Sequence, residues 1–450
     1  MRALPDLPDW CWLEHQVAQI LTTQEEHGWH FDEASAWELE QDLRGELERT
    51  TAVLQNRHPY VADTRFTPKR NNQTKGYLEG TGKTEEHLHC GQKTIIEECS
   101  FTKLKELNVT SRDHIAWILT THYGWTPSLI SSNGKPVIDE HVLNEAHKEI
   151  HKDHGSDTAI KFLRCLELKK LLGILCEGVN AWLKLVTTSS RIHHHCSVAT
   201  NTFRCAHRRP NISQSPSDLR FRALFTATDN LVMCGCDLSG IELRVLAHYL
   251  ARYDGGRYAK ILLTGDIHQV NADKIGISRR QVKTVSYAFL YGAGDQKLGL
   301  SVDPELKPAK AKKKGKEIRA AYVEAIDGLG DLLKSMEKTY HERRSCPYVK
   351  AIDGRKILVD SPHKALNYLL QGSAGIIAKR QMVIANENLP PTAHQLGFIH
   401  DELQYEVHKH HSEDLAFTLE LSAALAGEYY SLRCPIAAEA KIGKTWADVH

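Results

Sequence analysis

The run LVMCGC, from Leu231 to Cys236, ends on an aspartate and restricts the fold more than any other stretch of this chain. Small or apolar residues in series, with no charge among them, read as a strand buried on both faces. Asp237 stands where the run stops. Ser239 then occupies a helix N-cap position, and Ile241, Leu243, Val245, Leu246, Tyr249 and Leu250 supply the packing residues of a helix. An acid at the end of a buried strand, facing a helix start, suits a divalent cation that takes few protein oxygens and completes its shell with water and phosphate. The same acid is also an ordinary turn residue or cap, so two further stretches must carry the argument.

The first is GFIHDELQYEV, which alternates on both sides of His400 and Asp401 as a β-hairpin with the acid at its tip does. The second is RRQVKTVSYAFLYGAG. There Arg279, Lys283, Tyr287 and Tyr291 recur every four residues and share one helix face, and Gly292 ends the run. Two cations followed by two aromatic rings are not what a core wants, and a plain solvated face rarely carries both tyrosines. They suit gripping a triphosphate at one end and stacking on a base at the other.

A chain of 450 residues holds two or three cores, or one that is subdivided. The formal net charge of +1 argues neither for nor against nucleic acid, because a groove needs only local positive charge. Eleven cysteines without a C-x-x-C pair read as reduced thiols in a cytosolic setting. No secretory leader is evident and no apolar run approaches the ~20 residues of a spanning helix, so no membrane association is expected.

Along the chain, residues from Trp10 to Leu54 read as two helices that break at Gly28, with Asp32 capping the second. From Arg57 to Glu98 the pattern dissolves into a long loop, whose His87, His89, Cys90 and Cys99 match no well-formed zinc-finger spacing. Ser111 caps a further helix, and Asp157 to Val186 reads as another. His193, His194, His195 and Cys196 invite a metal. Alternation along a strand sends neighbours to opposite faces, however, so the four cannot all converge and a structural or surface role is expected. Arg204, Arg208 and Arg209, with Asn211, Ser213 and Gln214, suit contact with a phosphate backbone. The run from Lys307 to Arg319 is basic enough for a solvated helix start or for DNA contact. Asn367 and Gln371, which follow Arg355, lie one turn apart and are expected to face a common groove.

DLSGIELR (Asp237 to Arg244), RRQVKTVSYAFLYGAG and IHDE (Ile399 to Glu402) resemble, in order, the three sequence motifs of family A (DNA polymerase I-type) DNA polymerases. NTFRCAHRRPNISQ and LNYLLQGSAG resemble that family's template- and primer-binding segments. TSRDHIAWIL, GKPVIDEHVL, GDIHQV, SPHKALN and IGKTWADVH are similar to the short-tailed phage replicative members. The likeness covers the whole chain except the loop around Arg57 to Glu98.

The resemblance implies an α+β right-hand polymerase fold, with a mostly helical thumb and fingers and an antiparallel-sheet palm. Residues 1–190 would form the thumb, with a variable tip insertion at about 57–98. Residues 191–250 and 366–450 would form the palm, and 251–365 the fingers. The activity implied is template-directed DNA synthesis, adding dNTPs to a primer 3′-hydroxyl with two Mg²⁺ ions. Asp237, Asp401 and the main-chain carbonyl of Leu238 would hold the metals. Arg279, Lys283 and His268 would hold the triphosphate. Glu242 would lie beneath the sugar as the gate against a 2′-hydroxyl, and Tyr287 would stack near the sugar and base. Arg204, Tyr291, Asn367, Gln371 and His400 would contact primer-template DNA.

The sequence departs from the family pattern in three places. Thr202-Phe203-Arg204 replaces the usual T-G-R, which loosens the match at Arg204. The 57–98 insertion is shorter than, and different from, the one that binds thioredoxin in phage relatives, which argues against thioredoxin as a partner. No 3′–5′ exonuclease domain precedes the thumb-like sequence; proofreading would then lie on another chain, have been lost, or have been cut away. A helicase, a separate exonuclease or a processivity factor would be replisome partners, in a bacterial host cytoplasm if the gene is a phage's. Two rivals stand beside this reading. A catalytically inactive DNA-binding or replisome-scaffold protein of the same fold has no need for Asp237, Asp401, Lys283 and Arg279 together. A single-subunit RNA polymerase has no use for a carboxylate at Glu242.

Overall fold

The computed structural model describes residues 7–66, 101–304, 306–343 and 346–450. The chain forms two compact units, one of Met1–Glu33 with Leu185–His450 and the other of Ala34–Lys184. Residues 87–90 and 99, where the histidine–cysteine spacing was weighed above, lie outside the described residues.

The smaller unit is helical. Ser111 caps Arg112–Tyr123 by accepting from the His114 amide, as its position in the sequence predicts, and Gly124 closes that helix in the left-handed region. Asp139 caps Glu140–His154 in the same way through the Val142 amide. Leu54, Ile115, Leu119, Leu143 and Phe162 meet in one core. A two-stranded sheet, Tyr60–Phe66 with Phe101–Glu106, begins inside the stretch read as structureless. The single helix expected from Asp157 to Val186 is three pieces: Thr158–Leu172, a π-turn at Gly173–Glu177, and Trp182–Leu185. Gly178 marks the break, because a Cβ there would stand 2.5 Å from the Gly173 carbonyl oxygen.

The larger unit is built on an antiparallel sheet in the order His394–Ile399, Glu402–His408, Leu231–Leu238, Ala438–Gly443. Leu231–Leu238 is thus an inner strand, which explains its uncharged run. One face carries the long helix Ala365–Glu387 and the helix Ser412–Tyr429, with the buried Gln381 amide lying between Cys236 and the Leu419 carbonyl. By pleat alternation, Met233, Gly235 and Asp237 share the other face with their cross-strand partners Glu406, Gln404 and Glu402. The short helix Trp446–Val449 covers Gly235 so closely that a Cβ would meet the Val449 carbonyl at 2.7 Å. Asp237 lies beyond that cover, at the exposed end of the row.

The cap expected at Ser239 is not formed. The helix Ile241–Asp254 starts from Gly240 in the left-handed region (φ 58°), while the Ser239 amide bonds the Ala437 carbonyl. Leaving an inner strand and entering a helix at once requires a positive φ, and glycine supplies it at least cost. Ahead of the sheet, Asp9–His27 ends at Gly28 as expected and packs on the hairpin strand and the long helix through Gln24 and Glu14. Among the described residues, no helix is long and apolar enough to cross a membrane.

Candidate active site

The hairpin joining His394–Ile399 to Glu402–His408 turns on two residues, His400 and Asp401, with His400 at a positive φ of 62°. Glu402 pairs with Asp237 across the strands, and the Leu238 amide donates to the Asp401 carbonyl at 3.1 Å. The two aspartates expected to work together therefore stand side by side, held by backbone rather than by flexible loops. Burial pushes the Asp401 carboxyl up to about 7, with Glu242 and Asp237 adding repulsion. Asp237, though its strand end is exposed, is pushed up to about 6, first by partial desolvation and then by Glu402.

Glu402 behaves differently. Although burial opposes its charge, hydrogen bonds from His450 Nδ1 (2.9 Å), Trp446 Nε1 (2.8 Å) and Gln404 hold it below the usual carboxylate range. It is an ionised neighbour fixed by the closing segment TWADVH, a role that a one-dimensional reading of IHDE does not reveal.

Glu242 lies in the first turn of Ile241–Asp254, is 7 % exposed, and collects two expected DNA contacts instead of standing alone. Arg204 Nη2 donates to its Oε1 at 2.6 Å, and the Tyr291 hydroxyl donates to the same oxygen at 3.0 Å. Phe203, in the place of the glycine of the T-G-R pattern, has a positive φ of 61°. Its ring lies under Arg355, whose guanidinium is 4.7 Å from the ring centroid. Arg355 is itself buried, bonded to Asp353 and Glu14.

The basic helix runs Arg279–Leu290 behind a capping box of Ser278 and Gln281, and Tyr291 is its C-cap before Gly292 at φ 74°. Lys283, Tyr287 and Tyr291 line one cleft of about 560 Å³, together with Lys297, a cation outside the four-residue spacing. Tyr287 has its hydroxyl pKa raised by burial, then by the charges of Glu242 and Asp401. Its centroid is 6.2 Å from that of His268. Arg279 is at the exposed end of the helix, paired at 2.5 Å with Asp266, the residue that caps the helix bearing His268. Asn367 is buried, with its amide spent on the Leu290 carbonyl at 2.9 Å, so it braces the end of the basic helix and does not share an open groove with the half-buried Gln371. His400 is half-buried beside Arg204, with Nδ1 unpartnered.

With this geometry in place, comparison with known proteins gives a consistent result. Residues 79–448 match the model of DNA polymerase family A. The DNA-directed DNA polymerases of Enterobacteria phage T3 and Escherichia phage T7 are each 31% identical to it, over 97% of this chain and 70% of theirs. DNA polymerase I of Bacillus caldotenax is 28% identical over 63% of this chain and 34% of its own. Among solved structures, the POL domain of Pol1 from M. smegmatis, in complex with DNA primer-template and dNTP, superposes with a TM-score of 0.72. It covers 97% of this chain and 70% of that one, at 19% identity. The chain belongs to DNA polymerase family A, and it is a DNA-directed DNA polymerase with that family's α+β polymerase fold.

Proposed function

We propose that this chain extends a DNA primer by two-metal nucleotidyl transfer centred on Asp237 and Asp401. The observation that carries the reading is the meeting of the Asp237 strand end with Asp401 through the Leu238 amide, together with a cleft lined by Lys283, Tyr287 and Tyr291 whose Tyr287 feels the Asp401 charge. The donor set fits Mg²⁺: both are hard oxygen ligands, and their mutual repulsion calls for a cation. Asp237, Asp401 and the Leu238 carbonyl would hold the ions. When bound, a pair of such ions lowers the pKa of the attacking 3′-hydroxyl and neutralises the leaving pyrophosphate. Lys283, Arg279 and His268 bind and orient the triphosphate, with Arg279 exchanging Asp266 for phosphate. Tyr287 packs near the sugar and base. Glu242, held by Arg204 and Tyr291, presents a fixed carboxylate edge beneath the sugar. His400 and Gln371 meet the primer-template.

In this reading the thumb is the unit Ala34–Lys184, a narrower span than 1–190, because Asp9–His27 packs with the palm sheet. The palm takes 191–250 and 366–450, and the fingers 251–365. Replisome partners would act with it in a bacterial host cytoplasm.

Primer extension with dNTPs or NTPs tests the proposal. Wild type extends with dNTPs and not with NTPs, and Glu242→Ala admits ribonucleotides. No extension with either substrate would favour a scaffold, and preference for NTPs would overturn the assignment of Glu242.

A further inference from the structure

Behind the catalytic turn, outside the polymerase site, three soft or borderline donors converge where nothing in the polymerase reaction uses them. The short antiparallel pair His195–Ser197 and Ala206–Arg208 places Cys196 opposite His207. His194, two residues before Cys196, falls on the same face. Cys196 Sγ stands 3.4 Å from His194 Nε2 and 3.3 Å from His207 Nδ1, and all three ligand atoms lie within 4.8 Å of one another. All three side chains are buried, His194 with 1 % of its surface exposed.

We propose that His194, Cys196 and His207 bind one Zn²⁺ ion as a structural site distinct from the polymerase metals. On zinc bonds of about 2.0–2.3 Å, tetrahedral ligands stand about 3.3–3.8 Å apart, and both sulfur–nitrogen edges fall in that range. The donor set, one thiolate with two imidazoles, selects zinc over the hard cations of the catalytic site. Burial keeps both imidazoles neutral, pushing His194 down to about 3 and His207 to about 4, so their lone pairs are available without loss of a proton. The thiol is pushed up by burial and stays protonated without a metal. On binding, the S–H bond breaks, a Zn–S bond forms and one proton goes to solvent.

Gln24 offers the fourth corner. Its amide nitrogen lies 3.4 Å from His194 Nε2 and 3.6 Å from Cys196 Sγ. Which amide atom is oxygen is settled by the hydrogen-bond network. Turning the Gln24 and Gln395 amides together brings a carbonyl oxygen to the metal and keeps the chain from Gln24 through Gln395 to the Tyr405 hydroxyl, with loss of the 3.1 Å bond from Gln395 Nε2 to Met382 Sδ.

The ion would tie the first helix to the loop that carries Arg204. The His207 ring also meets the His400 ring edge-on at 6.2 Å, so the same ion would sit directly behind the catalytic hairpin.

The test is elemental analysis of purified full-length protein after incubation with a small excess of Zn²⁺ and gel filtration. Wild type and Asp401→Ala are expected to retain one zinc per chain, and Cys196→Ser and His207→Ala to retain none. Because a variant can lose metal by failing to fold, wild type is also loaded with Co²⁺ in place of zinc. A thiolate-to-cobalt charge-transfer band in the near ultraviolet is expected, and displacement by Zn²⁺ abolishes it. Zinc retained by Cys196→Ser, zinc lost from Asp401→Ala, or a cobalt spectrum without the thiolate band would overturn the proposal.

Discussion

The four-stranded sheet carries Glu406 toward one end of one face and Asp237, with the turn residue Asp401, at the other, and the protein treats these acids in opposite ways. Glu406 is fully buried and fully satisfied. Its Oε1 meets His27 Nε2 at 2.6 Å and Arg191 Nη2 at 2.9 Å, and its Oε2 accepts from the Thr228 amide and hydroxyl. Burial alone would raise its pKa, yet these partners bring it down to about 2. At the other end Asp401 and Asp237 are pushed up toward neutrality, and Arg204, which eases the Asp401 charge, is already bonded to Glu242. A fold able to neutralise a carboxylate so completely at one end has left the other for charges that arrive from outside.

The largest break in that contrast comes from the unneutralised end. Asp237→Ala or Asp401→Ala is expected to cut primer extension by on the order of 10³-fold, because charge stabilisation at the reacting phosphate is lost. Primer-template affinity, measured by fluorescence anisotropy, should stay within a few-fold. Extension at near wild-type rate by either variant would remove the aspartates from the site.

At the satisfied end the effect is on stability. Glu406→Gln leaves the half-buried Arg191 without its charge partner and is expected to cost about 1.5–3 kcal/mol in denaturant unfolding, with extension retained at low temperature. The sign with pH follows from a depressed carboxylate: the stabilisation is present above its unfolded pKa and is lost as pH falls toward about 2. The gap between wild type and Glu406→Gln should therefore narrow in acid. A gap that stays level there would mean that packing, not charge, holds Glu406.

A smaller effect sharpens the geometry between the two. In the proposed reading the Tyr287 hydroxyl would stand in for the nucleotide 3′-hydroxyl. Tyr287→Phe is expected to discriminate against dideoxynucleotides more than wild type does, by roughly 1.5–3 kcal/mol, or on the order of ten- to a hundredfold. Competitive insertion of dNTP against ddNTP measures it. Equal discrimination by wild type and variant would turn the Tyr287 hydroxyl away from the sugar.

Much of this arrangement is legible in the sequence because the signals are local. The uncharged run before Asp237, the hairpin turning at His400-Asp401, the basic helix and Gly292 at its end each report short-range geometry, and the structure forms them, although both hairpin strands are buried on both faces and not alternately. What escapes depends on register and on distant segments. Strand alternation correctly separates four adjacent donors, yet only the pairing of Cys196 with His207 reveals that two of them meet a third. Arg204 and Tyr291 arrive at Glu242 from segments 38 and 49 residues away, and no periodicity links them. The Ser239 cap fails for a different reason: propensity favours serine, but the strand-to-helix corner demands a positive φ that Gly240 supplies.

The contrast between the two ends is tested most directly by titrating Mn²⁺ into wild type and Asp401→Asn at several pH values, following the free-ion signal by electron paramagnetic resonance. Carboxylates raised to about 6 and about 7 must release protons before they ligate, so wild-type affinity should climb steeply as pH rises through that interval. For the same groups, metal-free stability is full at low pH and declines as pH rises through their folded pKa values, so the thermal stabilisation by Mn²⁺ should grow in parallel. Asp401→Asn should bind weakly, with a flattened pH dependence. Wild-type affinity that is level across this range, or an Asp401→Asn curve that overlays wild type, would contradict the claim that these acids are kept for cations.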